Sequence, residues 1–353
     1  METPTSFYEP PPWMTPKRQL RRDIMVIVLV LFGIFAAEFG IAMTAGGFIA
    51  LASPEFQSMV QEVASSGNTD PQALLQSSEY QQVSIPDNLA TVITLIAALL
   101  TLPMVLIIRG KRALSTDLVA VNQKANALSI LKALLLILAI GAAANLLAFL
   151  TAPFFESLME ISFTEFLEDS ISGILTSPVG ILYVALLGPI IEEIIFRGAI
   201  LNRLSRHGVN FAIVTQALLF GLFHGIIFQS FCAFFIGLVL GYVAMRYSLK
   251  WAMVLHIANN SISVGFTLLD QAAIGPVADI IFWVYLIACL VGAVVLLIVK
   301  RKQFSVIRQY GLAVTPKPYQ IAFSSPLLVT FMAVYLSIGI LTLFLTKILD
   351  AIY

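Results

Sequence analysis

The chain has 353 residues, of which 59% are hydrophobic and 11% charged, and its formal net charge is zero. Soluble chains carry about a quarter charged residues, so this composition is that of a polytopic membrane protein and excludes a basic nucleic-acid-binding surface. Cys232 and Cys289 both lie in apolar runs and offer no disulfide framework.

Residues 1–23 read as a polar, proline-rich cytoplasmic tail without a signal-peptide pattern. Nine segments then read as spanning helices by length and apolarity, at about 24–52, 88–108, 127–152, 178–200, 209–228, 230–246, 250–270, 278–299 and 327–349. The expected fold is all-α, a transmembrane bundle of about nine helices: N-terminal helices within 24–176, a central unit 177–270 and C-terminal helices within 271–353.

Charge tests the order of these spans, because lysine and arginine collect on the cytoplasmic side. Lys17, Arg18, Arg21 and Arg22 precede the first span, and the connection 53–87 has no basic residue but carries Glu55, Glu62, Asp70, Glu79 and Asp87. Arg109, Lys111, Arg112 and Lys124 follow the second span, and 153–177 is again purely acidic. Arg203 and Arg206, then Arg246 and Lys250, then Lys300, Arg301, Lys302 and Arg308 continue the alternation. It predicts a cytoplasmic N-terminus, an outer C-terminus and residence in the cell membrane. Of the outer connections, 53–87 reads as short helices or disorder, and 153–172 as an interfacial amphipathic helix or a plain loop. Gly237 and Gly241 permit close helix packing.

One stretch breaks the apolar pattern. Pro189 to Arg197 reads Pro-Ile-Ile-Glu-Glu-Ile-Ile-Phe-Arg, two carboxylates and a guanidinium inside a span. A charge at membrane depth costs ~3 kcal/mol or more, so such residues point to function. Glu193 and Arg197 are i,i+4 neighbours and are expected to pair. Glu192 lies roughly 100° around the helix from Glu193, free to face a cavity. Two histidines fall within later spans: His224 in Phe220-Gly-Leu-Phe-His224 and His256 in His256-Ile-Ala-Asn-Asn260. His256 and Asn260 share a helix face.

These groups suit hydrolysis. A carboxylate in an apolar site can act as general base on water, a histidine can orient that water, and an amide with an imidazole can donate to an oxyanion. There is no His-Glu-x-x-His motif and no Gly-x-Ser-x-Gly elbow, so the expected nucleophile is water. The remaining polar residues read as structural. Asn145 and Gln216 are expected to make interhelical hydrogen bonds, Asn259 a helix–helix contact, Phe196 and Phe220 wall packing, and His207 a solvated loop position. Glu38 is an acid with no identified partner.

Glu192-Glu193-Ile-Ile-Phe196-Arg197-Gly198 resembles the signature of the CPBP intramembrane proteases, the family of CAAX prenyl endopeptidases and bacteriocin-processing proteins. Phe220-x-x-x-His224 and His256-x-x-x-Asn260 resemble its second and third motifs, in the family's order. The resemblance spans roughly 178–270 and makes the central unit protease-like. It implies Glu192 as general base aided by His224, His256 and Asn260 as oxyanion donors, and Glu193 with Arg197 as a brace. It also implies a peptide or protein substrate at the bilayer, lipid-anchored in the CAAX case. Members are commonly described as metalloproteases, which would make Glu192, His224 and His256 the ligands of a zinc ion; metal-free activation of water stays open. Counting rises along the helices places the cavity near mid-membrane, entered from the cytoplasmic half. The competing readings are an ion- or proton-coupled transporter and a non-cleaving immunity or scaffold protein.

Overall fold

The computed structural model describes residues 15–66, 87–111, 120–159, 174–272, 275–307 and 314–352. Among them every regular element is helical: α1 (Pro16–Ala52), α2 (Pro54–Ser66), α3 (Leu89–Arg109), α4 (Ala127–Met159), α5 (Pro178–His207), α6 (Val209–Phe223), α7 (Ile227–Arg246), α8 (Leu249–Gln271), α9 (Pro276–Ile307), α10 (Pro318–Phe323) and α11 (Pro326–Ile352). Seven of these, α1, α3, α4, α5, α7, α8 and α9, are long and apolar enough to cross a bilayer. The protein is therefore an integral, multi-pass membrane protein. Of the two remaining expected spans, α6 has 15 residues and α11 has 27. The chain leaves α6 at His224 because Gly225 takes a φ of +69°, where glycine is favoured. Large apolar side chains along α1, α4 and α9, such as Leu29, Leu131 and Val291, stay exposed, as a lipid-facing surface requires.

Helix α1 starts earlier than its apolarity suggests. The Thr15 hydroxyl accepts from the Arg18 N–H, and Pro16 occupies the first helical position, where its missing N–H costs nothing. Residues 16–23, read from sequence as tail, thus form the first two turns and bury Asp23. The connection after α1 begins with a short helix, α2, in keeping with one of its two readings. Helix α4 runs through Pro153 to Met159; the rest of the expected interfacial segment, 160–172, lies outside the described residues.

One apolar core joins α1, α3, α4, α5, α6, α7, α8, α10 and α11 through residues such as Ile27, Leu31, Ile137, Phe196, Ile200, Phe220, Leu240 and Phe331. Helix α9 sits on α4 through a separate cluster of Ala139, Ala142, Leu286, Cys289 and Ala293. The tightest seam is between α6 and α7. A Cβ on Gly237 would lie 3.1 Å from the Ala217 Cα and 3.2 Å from the Phe220 ring, and one on Gly241 would lie 2.5 Å from Gln216 Nε2. The expected close packing is present, and Gln216 makes its interhelical bond, donating to the Gly237 carbonyl at 2.9 Å. Asn145 does not: it donates to the Gly141 carbonyl of its own helix, because a carbonyl one turn back is always within reach.

His207 is a second correction. It is buried, not solvated: Nε2–H donates to Asp23 at 2.8 Å and Nδ1 pairs with the Thr315 hydroxyl at 2.8 Å. The same Asp23 carboxylate accepts from Arg203 Nε at 2.9 Å and Arg206 Nη2 at 2.8 Å. Arg203 also donates to the Ile108 carbonyl. This clamp ties the start of α1, the end of α3, the end of α5 and the segment before α10 into one knot. Sequence reading missed it because its acid comes from the far end of the chain.

Candidate active site

Helix α5 is not a regular α-helix. Two wide, π-helical turns, Tyr183–Leu187 and Ile194–Leu201, flank the segment Gly188–Glu193, a form of irregularity often found at functional sites. Pro189 accounts for part of this. The Gly188 N–H reaches back five residues to the Tyr183 carbonyl, so the next carbonyl, Val184, would need the N–H of residue 189, and proline has none. Asn260 of α8 supplies it, donating from Nδ2 to the Val184 carbonyl at 3.1 Å. The amide has two N–H bonds, so one remains. Asn259 makes no helix–helix contact of the expected kind; it donates to the Asn260 side-chain carbonyl at 3.2 Å.

Glu193 and Arg197 pair as their spacing predicts, with Nη1 to Oε1 at 2.7 Å and both side chains fully buried. The same Oε1 accepts from His256 Nδ1–H at 2.9 Å. The other nitrogen of His256, Nε2, stands 3.6 Å from Glu192 Oε2. That is beyond a direct hydrogen bond and within the range that a shared water bridges. A chain thus runs Arg197–Glu193–His256–Glu192, buried at the arginine end and open at the other, where the Glu192 side chain is 32% exposed.

Phe220 organises the imidazoles around this chain. Its ring lies 4.2 Å below the Arg197 guanidinium carbon and packs edge-on to Phe196 at 5.1 Å, confirming both phenylalanines as wall. His224 and His256 also meet this ring edge-on, at 4.8 and 5.7 Å between centroids. His224, at the end of α6, gives Nδ1–H to the Phe220 carbonyl at 2.9 Å. A carbonyl only accepts, so Nε2 of the neutral ring carries the lone pair. His224 is half-buried and makes no hydrogen bond or ion pair to Glu192.

The six residues singled out from the sequence therefore fall into two groups. Glu192, Glu193, Arg197 and His256 are in mutual contact, while His224 joins them through Phe220 and Asn260 through the backbone of α5. Among the described residues no three His, Cys, Asp or Glu side chains come together closely enough to hold a metal ion. In His224 and His256 the Nδ1–H is held by an oxygen, which leaves Nε2 of each as the nitrogen that could ligate a metal.

The family model for Rce1-like type II CAAX prenyl endopeptidases matches residues 174–262, from just before α5 into α8. The segment 174–262 is thus similar to the CAAX prenyl endopeptidases. Every residue of the Arg197-to-Glu192 chain, together with Phe220, His224 and Asn260, lies inside the matched segment, whereas α1–α4 and α9–α11 lie outside it. No curated protein and no solved structure matches the chain. That similarity supports a CAAX-type intramembrane protease in general terms.

Sequence reasoning missed the groups that helices outside the matched segment bring to this place. Glu38 of α1 does have a partner, accepting from the Thr101 hydroxyl at 3.0 Å. Phe35, one turn before it, packs on Tyr335 of α11 at 5.5 Å. The available signal was an acid within a span, which is costly enough to ask for a role.

Proposed function

We propose that the protein cleaves a peptide bond in a membrane-associated peptide or protein, using water activated by Glu192. The supporting observation is the one-sided ion chain: a buried arginine–glutamate pair holds His256, and His256 faces the only partly exposed carboxylate of the set. Such a scaffold fixes a base without neutralising it.

In this reading Glu192 takes a proton from a water molecule as the oxygen attacks the scissile carbonyl. His224, its Nε2 lone pair free, orients that water. The proton then passes from Glu192 to the leaving amine as the C–N bond breaks. His256, with both nitrogens turned to glutamates, holds Glu192 in place. The Asn260 N–H not used by Val184 is the donor left for the oxyanion. This divides the roles differently from the resemblance, which pairs His256 with Asn260 at the oxyanion. A CAAX-type substrate carrying a lipid anchor fits a site within the bilayer, and the charge alternation of the connections favours a cytoplasmic N-terminus.

The test is cleavage of membrane-anchored CAAX-type peptides by purified protein in detergent or vesicles. Glu192→Ala should abolish turnover while leaving thermal unfolding unchanged, because Glu192 has no direct hydrogen bond to lose. Turnover that survives this substitution rules the mechanism out.

A further inference from the structure

We propose that Glu38 and Tyr335, from α1 and α11, form a subsite that binds the backbone of an extended peptide beside Glu192. The inference deepens the hydrolytic reading and rests on it. Three observations carry it. Glu38 is fixed at one oxygen by Thr101, itself buried, and its other oxygen has no partner among the described residues. Tyr335 is only 3% exposed, yet its hydroxyl has no hydrogen-bond partner, a state that native structures rarely leave without a role. Packing brings the two to the same end of the site, since the Tyr335 ring meets both Phe35, one turn before Glu38, and Phe223, the neighbour of His224.

Packing explains how helices so far apart in sequence reach the site. The Tyr335 ring meets Phe35, one turn before Glu38, at 5.5 Å and stacks on Phe223 at 5.8 Å. Phe223 immediately precedes His224 and packs on Phe196 at 5.7 Å. Helix α11 is therefore wedged between the acid of α1 and the histidine turn of α6. The matched segment builds one wall of the site, and α1 with α11 builds the other.

The chemistry of the ligand follows from the medium. A peptide unwound for cleavage inside a bilayer exposes N–H and C=O groups that lipid cannot satisfy. A free carboxylate oxygen and a buried phenol offer one acceptor and one donor, matching the N–H and C=O of an extended segment, as strand-like peptide recognition requires. Glu38 and Tyr335 act here as binding residues, separate from the reacting atoms.

The experiment measures binding apart from turnover. A fluorescein-labelled CAAX-type peptide, with and without a farnesyl group, is titrated by anisotropy into detergent-solubilised Glu192→Ala protein. Glu38→Gln and Tyr335→Phe, each added to that background, should weaken binding roughly tenfold, equally for both peptides. In the otherwise wild-type protein the same substitutions should raise KM by a similar factor while kcat stays within about twofold. Tyr335→Phe keeps every ring contact, so its effect is not one of folding. Unchanged binding in either variant overturns the proposal. So does a fall in kcat at constant KM, which would place Glu38 among the reacting groups, or a loss confined to the farnesylated peptide. Weakened binding in a protein that never cleaves would sink the hydrolytic mechanism and leave the subsite standing.

Discussion

Replacing both members of the Glu193–Arg197 pair should separate stability from catalysis. The pair is fully buried, with a 2.7 Å contact, so neither charge is screened by solvent. It is also poorly satisfied: Glu193 Oε2, Arg197 Nε and Arg197 Nη2 have no hydrogen-bond partner. The Phe220 ring under the guanidinium, worth about 0.5–2 kcal/mol, offsets only part of that desolvation. Glu193→Leu or Arg197→Leu alone leaves one uncompensated buried charge and should cost about 3–5 kcal/mol. The double replacement removes both charges and keeps the volume apolar, so it should regain most of that loss. Catalysis should not return in any of the three, because His256 loses the arrangement that holds its Nδ1–H. Thermal unfolding in detergent reads the first quantity and peptide cleavage the second. A double variant as unstable as the singles, or one that cleaves at wild-type rate, refutes the reasoning.

Three further outcomes follow from other parts of the structure. Asp23→Ala strips the acceptor from two arginines and a buried histidine, and should cost about 2–4 kcal/mol by thermal unfolding while cleavage well below the transition keeps its kcat. Gly241→Ala drives a methyl to within 2.5 Å of Gln216 Nε2 and should displace that side chain from the Gly237 carbonyl, costing about 1–3 kcal/mol. Pro189→Ala restores an N–H where the Val184 carbonyl lacks one; Asn260 is then released, and kcat should fall several-fold with stability unchanged or raised. A Pro189→Ala protein with unaltered kcat would detach Asn260 from the reaction.

Much of the site was legible because its contacts are periodic. The Glu193–Arg197 pair and the shared face of His256 and Asn260 follow from four-residue spacing, and Gln216 opposite Gly237 from a polar residue beside a small one. What escaped was whatever departs from that period or crosses the chain. An ideal helix count placed His224 inside a long span, whereas Gly225 ends α6 at that residue. The wide turns of α5 are invisible to a 3.6-residue template, although Gly188-Pro189 marks where the template fails. His207 looked like a loop residue because two basic residues, Arg203 and Arg206, precede it in sequence, and only tertiary contact brings Asp23 to it. Glu38 looked isolated for the same reason: Thr101 and Glu192 arrive from other helices.

The knot around Asp23 imposes an order on biogenesis. Its acid emerges early, but Arg203 and His207 follow 180 and 184 residues later, and Thr315 comes 108 residues after His207. At roughly 5–20 residues per second of synthesis, the aspartate waits on the order of ten seconds or more for its first cation. Until then the apolar contacts with α3 are what hold α1 at that end. Helix α5 is thus tied to the first helix only after more than half of the chain has been made.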